Sequence, residues 1–213
     1  MSKIKARDYK PQEEKWNVIT HGFGLLLAIA GLVLLVVQSS LYKDAWHIVS
    51  YSVYGVSMVV LYTASTFFHS SKPGNLRKKL NVFDHASIFF LIAGTYTPFT
   101  LVTLRGGWGW SIFGVVWGLA IAGIILKLFY TGRFEKISTA IYIILGWLII
   151  IAIKPLIENF TPAGLFWLGL GGISYSVGAG FFLWHKLPYN HAIFHVFVLI
   201  GSISHFFAVY FYI

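Results

Sequence analysis

Seven long apolar runs, separated by short polar connectors, dominate the chain. The runs cover about 17–38, 46–69, 82–104, 109–130, 137–154, 163–185 and 190–212. Each approaches or exceeds the roughly 20 apolar residues that a helix needs to cross the hydrocarbon core of a bilayer. The pattern predicts an all-α integral membrane protein. We expect a short basic tail at residues 1–16 and a single seven-helix transmembrane bundle at residues 17–213.

The composition supports a membrane location. Of the 213 residues, 57% are hydrophobic and 11% are charged, and the mean hydropathy is +0.74. These values are typical of integral membrane proteins. The net charge of +9 does not indicate nucleic-acid binding, because the basic residues lie between apolar runs. The first run continues to Val37 without a clear small-residue cleavage site, so we interpret it as a retained span.

The positive charges predict the orientation of the bundle. Of the 16 Lys and Arg residues, 13 lie in the amino tail or beside the second, fourth and sixth connectors, which share one side of a seven-span protein. Cytoplasmic segments of membrane proteins are enriched in Lys and Arg. We therefore expect the amino terminus in the cytoplasm and the carboxyl terminus outside.

Small residues and one proline predict details of the packing. Glycines recur along the sixth run, among them Gly169, Gly171, Gly178 and Gly180, and small residues mark close helix contacts in membranes. Pro98 in the third run lacks the amide hydrogen of a regular helix, so we expect a kink there.

Six ionisable side chains gather at one depth, in the predicted cytoplasmic half. A charged side chain inside a membrane costs at least about 2.5 kcal/mol, so each such residue is a functional candidate. The six residues at the ends of four separate runs are His21, His69, Asp84, His85, His191 and His195.

Three of these histidines form a candidate metal site. A helix that begins near Asn190, which we expect to cap it, carries His191 and His195 on one face because residues four apart are neighbours. His69 lies at the same depth. The chain has no cysteine, so only imidazoles and carboxylates are available as ligands. Three neutral imidazoles with one open position suit a catalytic zinc ion.

Asp84 and Ser65 are the candidate catalytic residues. Asp84 could bind the metal directly, but a carboxylate beside a metal-bound water is better placed to orient and deprotonate that water. Ser65 lies one turn before His69 on the same face. Its hydroxyl could hold the water or a substrate carbonyl, or it could bond the carbonyl of residue 61 in its own helix.

Residues of the first run could support this site. Asn17 lies one turn before His21, and Glu14 lies before Asn17. Two interpretations of these three residues remain open. They could form a helix cap with a polar clamp, or they could orient the metal ligands without binding the metal themselves.

The other histidines have simpler interpretations. His85 points about 100° away from Asp84 on a helix, so we leave it out of the ligand set. We expect His47 and His185 at the two membrane interfaces, where amphipathic rings are stable. His205 lies deeper in the seventh run, and we expect it to form a hydrogen bond inside the bundle.

Together these motifs resemble the hemolysin III family, the bacterial branch of the progestin and adipoQ receptor group. The motifs are Glu14-x2-Asn17-x3-His21, Ser65-x3-His69, Phe83-Asp84-His85 and His191-x3-His195, in this order along the whole chain. The resemblance implies a seven-helix protein of the bacterial inner membrane with a cytoplasmic amino terminus. It also implies a zinc ion bound by His69, His191 and His195, with Ser65 and Asp84 around its water.

Three functions are compatible with this resemblance. The group is similar to the alkaline ceramidases in this arrangement, which suggests a hydrolase that acts on a lipid amide or ester. The family name suggests a membrane-disrupting hemolysin, although the polar residues gather at one depth and do not line a path through the bilayer. A receptor or membrane-state sensor with a structural zinc is the third. The substrate and the oligomeric state are left open, and no nucleic-acid partner is expected.

Overall fold

The structure is a computed structural model that describes Arg7 and residues 9–213. Every regular element in that part of the chain is helical. The α-helices are α1 (Pro11–Tyr42), α2 (Ala45–Ser70), α3 (Asn75–Pro98), α4 (Gly107–Tyr130), α5 (Glu135–Gly146), α6 (Ile153–Asn159), α7 (Pro162–Leu183) and α8 (Asn190–Tyr212). With α5 and α6 counted as one interrupted span, seven segments are long and apolar enough to cross a membrane. The predicted seven-helix membrane bundle is confirmed.

The first helix begins earlier than the apolar run. Pro11 occupies its first turn, and Glu13 and Glu14 lie there too, where carboxylates favour the positive end of the helix dipole. At 32 residues, α1 is longer than a bilayer core requires. Part of the predicted tail is therefore helical, and it carries Glu14 to the same end of the bundle as the histidines.

Two spans are interrupted within the bundle. At Pro98, where a kink was predicted, α3 gives way to a π-helical segment, Phe99–Thr103. The fifth span is broken between α5 and α6 by a 3₁₀ segment, Leu148–Ala152, which the sequence did not predict. The Tyr96 hydroxyl, from α3, donates to the Leu145 and Gly146 carbonyls (3.0 and 2.9 Å) and accepts from the Ile149 amide (2.9 Å). It therefore satisfies the backbone groups that the break exposes.

Only some of the glycines in α7 make close contacts. A Cβ on Gly171 would lie 2.1 Å from the His205 ring, and one on Gly178 would lie 2.9 Å from Phe197 Cβ. Gly169 and Gly180, in contrast, have open space at the same position. The glycines that face α8 thus allow close packing of these two helices, as small residues do in membranes.

The start of α8 corrects one expectation. Asn190 does not cap α8 with its side chain but is its first residue, after Tyr189 in the left-handed conformation (φ 57°). Its amide instead donates to the Phe181 and Phe182 carbonyls at the end of α7 (3.1 and 2.9 Å). Carbonyls in the last turn of a helix lack their regular partner four residues on, and the Phe181 carbonyl otherwise accepts from the Trp184 amide, so Asn190 ties the end of α7 to the start of α8.

Candidate metal centre

Three buried imidazoles converge at one end of the bundle. His69 comes from the last turn of α2, and His191 and His195 come from the first turns of α8. One ring nitrogen from each lies within 4.8 Å of the others, which is close enough for one metal ion. The Nε2 atoms of His69 and His191 are 3.1 Å apart. The three predicted ligands are therefore together, with side chains from two helices.

The outer nitrogens of two of these rings are held by acceptors. His69 Nδ1 lies 2.6 Å from Glu14 Oε2, and His195 Nδ1 lies 3.3 Å from the Asn17 carbonyl oxygen. Carboxylate and carbonyl oxygens only accept, so both Nδ1 atoms carry the proton and both Nε2 atoms of the neutral rings carry a lone pair. An imidazole that donates one nitrogen to an oxygen acceptor is typical of metal-binding histidines. The donor set fits a metal ion.

Glu14 and Asn17 thus contact the outer nitrogens of two of the three histidines. The other carboxylate oxygen of Glu14 pairs with Arg77. Arg77 also donates to the Phe68 and Ser71 carbonyls at the end of α2 (3.0 and 2.9 Å). The guanidinium therefore holds both the last turn of α2, where His69 lies, and the carboxylate that orients His69.

Tyr9 is a contact that the sequence did not indicate. Its hydroxyl lies 2.9 Å from His191 Nδ1, and the two rings are 4.6 Å apart. Loss of water around the hydroxyl raises the pKa of Tyr9 above its usual value, so it stays a neutral phenol. A phenol can accept from or donate to Nδ1, so it is compatible with either tautomer of His191.

His21 contacts both the histidine cluster and Ser65. Its ring stacks on that of His195, with centroids 3.4 Å apart and planes 10° apart. Its Nδ1 lies 2.6 Å from Ser65 Oγ. Its Nε2 is buried and has no hydrogen-bond partner among the described residues. The Ser65 hydroxyl is thus paired with His21, an arrangement that neither interpretation of Ser65 anticipated.

Asp84 lies beside the cluster but not in it. Its carboxylate contacts His85 at 3.7 Å and lies next to Ser65, and only the three histidines form the metal-sized group in the described part of the chain. His85 Nδ1 is 2.9 Å from the Asn81 carbonyl, and His85 does not belong to the group of three histidines.

Two of the three histidines, His191 and His195, line an apolar cavity of about 180 Å³. Asp84, Ser65 and His21 line the same cavity. The cavity continues between α3, α5, α7 and α8 along Ile88, Ile92, Ile143, Val198, Tyr175 and His205. Its walls suit a hydrocarbon chain whose polar group lies at the histidines.

The other histidines lie away from the cluster. His205 donates from Nε2 to the Leu168 carbonyl (3.1 Å), which confirms the predicted bond inside the bundle. His47 pairs with Asp44 at 2.6 Å, and His185 pairs with Glu135 at 2.8 Å.

The chain is similar to a family model and to several known proteins over most of its length. A family model described as "Haemolysin-III related" matches residues 9–206. The chain is 54% identical to Hemolysin-3 of Bacillus cereus, over 95% of this chain and 92% of that protein. It is 49% identical to the Hemolysin-3 homolog of Bacillus subtilis (strain 168), over 94% of each. It is also 30% identical to the human monocyte to macrophage differentiation factor, over 96% of this chain and 87% of that protein.

Proposed function

Since the chain belongs to the haemolysin III family, as the sequence motifs had indicated, we propose that it is a zinc-dependent hydrolase of the bacterial inner membrane that cleaves a lipid amide or ester. One observation carries this proposal: three imidazoles converge at one end of the bundle, and two of them, His191 and His195, line an apolar cavity together with Asp84 and Ser65. We further propose that this end faces the cytoplasm, because 13 of the 16 Lys and Arg residues lie on its side.

Each residue of the site has a separate role in the proposed hydrolysis. His69, His191 and His195 would hold the zinc ion, which would supply a bound water with a pKa of about 7 and a Lewis acid for the substrate carbonyl. Asp84 accepts the proton from the attacking water, because it is the carboxylate on the cavity wall beside the cluster.

Ser65 and His21 act on the carbonyl group of the substrate. The Ser65 hydroxyl, paired with His21 Nδ1 at 2.6 Å, orients the scissile carbonyl. The acyl chain lies along Ile88, Ile92 and Val198, where the cavity is apolar and water is excluded.

The test separates binding of the metal from turnover. Asp84→Asn should keep the metal and lower lipid turnover by about 10² to 10⁴-fold, the usual contribution of a general base. Glu158→Gln, an exposed carboxylate outside the cavity, is the matched control and should leave turnover unchanged. Lipid analysis of cells expressing each variant should show one lipid class accumulating with Asp84→Asn only. Equal lipid profiles for both variants would contradict the proposal.

A structural metal in a membrane sensor is the second candidate. The observation that favours it is the network of Arg77, Glu14 and His69, which links α1, α2 and α3 directly behind the ligands. In that case metal removal lowers stability while no lipid changes with Asp84→Asn.

The names of the bacterial relatives keep lysis as a third hypothesis. A lytic mechanism predicts dye leakage from liposomes that persists in His195→Ala, whereas a hydrolase predicts no leakage from either protein.

A further inference from the structure

One buried lysine lines the cavity and has no role in the proposed chemistry. Lys127 lies in the last turn of α4, and only 6% of the residue is exposed. Its ammonium donates to Ser138 Oγ at 2.6 Å and lies 5.7 Å from the centre of the Tyr142 ring. Lysines at the ends of membrane helices normally extend into the interface. This one is folded into the protein instead.

None of the ion pairs among the described residues includes Lys127, although the carboxylate of Glu135 acts on its charge from a longer distance. Glu135, which lines the same cavity, pairs with His185, and Asp84 contacts His85. Burial of a cation is costly unless a counter-charge and hydrogen bonds compensate for its lost water. A hydroxyl, an aromatic ring and a Glu135 carboxylate that is paired with His185 supply only part of that compensation, so the site is suited to an anionic group from a ligand.

The position of Lys127 relates this site to the histidines. Lys127 and Ser138 line the same cavity as His191 and His195, and apolar residues such as Ile88 and Ile143 lie along it. A single molecule with a hydrocarbon chain and a charged group could therefore contact both. An ammonium is a compact point charge that binds phosphate well.

We propose that Lys127 and Ser138 form a binding site for the phosphate group of an acyl lipid whose chain occupies the cavity. The inference rests on the proposed hydrolase function, for which it names the substrate class: a lipid with a phosphate on its headgroup. The phosphate contacts the ammonium and the Ser138 hydroxyl, and this places the acyl linkage toward the histidine end.

The test compares two lipids that differ only in the phosphate. 1-Oleoyl-glycerol-3-phosphate and 1-oleoylglycerol are titrated onto the purified full-length protein in neutral detergent, and bound lipid is measured by native mass spectrometry. The wild-type protein should prefer the phosphate-bearing lipid by about tenfold or more, which corresponds to one good charge-assisted contact. Lys127→Met should reduce this preference to about twofold or less and leave binding of 1-oleoylglycerol unchanged.

Three further variants test whether the preference depends on this site. Lys136→Met removes an exposed lysine from the first turn of α5 and should retain the preference. Lys127→Arg should retain most of it, because the charge remains. Ser138→Ala should weaken it by a few-fold, and it tests the site even if Lys127→Met does not fold.

Several results would contradict the inference of a lipid-phosphate site. An unchanged preference in Lys127→Met, or no preference in the wild-type protein, overturns the inference. If inorganic phosphate binds in a Lys127-dependent way and the acyl lipid binds no tighter, the ligand is a free anion and the assignment to a lipid is wrong. Metal content measured on the same samples separates the two proposals. Metal without a lipid preference removes this inference alone, and a lipid preference without metal removes the hydrolase alone.

Discussion

Two regions of α8 bury histidines in different ways. His191 and His195, near the start of the helix, meet His69, and the Nδ1 of His195 is held by the Asn17 carbonyl. His205, ten residues further along, is as buried as His191 (7% and 5% exposed) but bonds the Leu168 carbonyl and packs against Gly171. Burial is therefore not what distinguishes the candidate metal site.

The two regions differ in whether ring nitrogens that carry a free lone pair come close to one another. At the start of α8 the nitrogens of separate rings approach within 3.1 Å, an arrangement that a shared cation stabilises. At His205 one nitrogen is used by the backbone, and no other metal-binding side chain among the described residues joins it. We therefore expect the first region to bind a metal and the second to contribute only packing. The predictions below test this difference.

Metal removal should have the largest effect. A metal that binds only the folded protein stabilises it by about 4 kcal/mol when its free concentration is 1,000 times Kd. A chelator should therefore lower the thermal unfolding temperature of the wild-type protein and of His205→Ala by similar amounts. His69→Ala should start at the lower temperature and show no further change with the chelator. A chelator response that survives in His69→Ala would show that the metal binds elsewhere.

Gly171→Ala should disturb only the second region. The new Cβ would lie 2.1 Å from the His205 ring, so the ring or α7 must shift. Overpacking of this kind destabilises by about 1 to 3 kcal/mol. Gly169→Ala, where space is open, is the matched control and should be tolerated. Denaturation in detergent measures the effect. Loss of metal binding in Gly171→Ala would mean that the two regions are coupled.

Glu14→Gln should weaken the first region without removing a ligand. The His69 Nδ1 proton would then have a neutral acceptor, and changes of this kind lower metal affinity by about 10- to 100-fold. Competition with a metal indicator measures the change, and Glu158→Gln should have no effect. An affinity of Glu14→Gln equal to that of the wild-type protein would remove Glu14 from the support of the site.

Tyr9→Phe should have the smallest effect. It removes one hydrogen bond to His191 Nδ1, worth about 0.5 to 1.5 kcal/mol, and keeps the ring packing. We expect a few-fold loss of metal affinity in the same competition assay and no change in lipid preference at Lys127. A loss as large as that of a missing ligand would show that Tyr9 binds the metal itself.

The sequence predicted the parts of this site that follow from helical spacing and depth. His191 and His195 were paired because they are four residues apart, and His69 was added because its run ends at the same depth. Tyr9 and Arg77 were missed as parts of the site because their side chains meet partners distant in the chain, which no local pattern records.

Local preferences also misled the prediction at two positions. Asn190 is a favoured cap residue, but the α7 carbonyls compete for its side chain. The fifth run is apolar around its break apart from Gly146, and the exposed backbone groups are satisfied by a tyrosine from α3, a partner that no pattern within the run records. The number of helices, in contrast, follows from the lengths of the apolar runs alone.

The central claim is that His69, His191 and His195 bind one metal ion. The most direct measurement is the metal content of purified wild-type protein, His195→Ala and His205→Ala by mass spectrometry. The account predicts about one zinc per chain in the wild-type protein and in His205→Ala, and roughly none in His195→Ala, because three protein ligands are the usual minimum for such a site. Equal metal content in the two variants, or no metal in the wild-type protein, would contradict it.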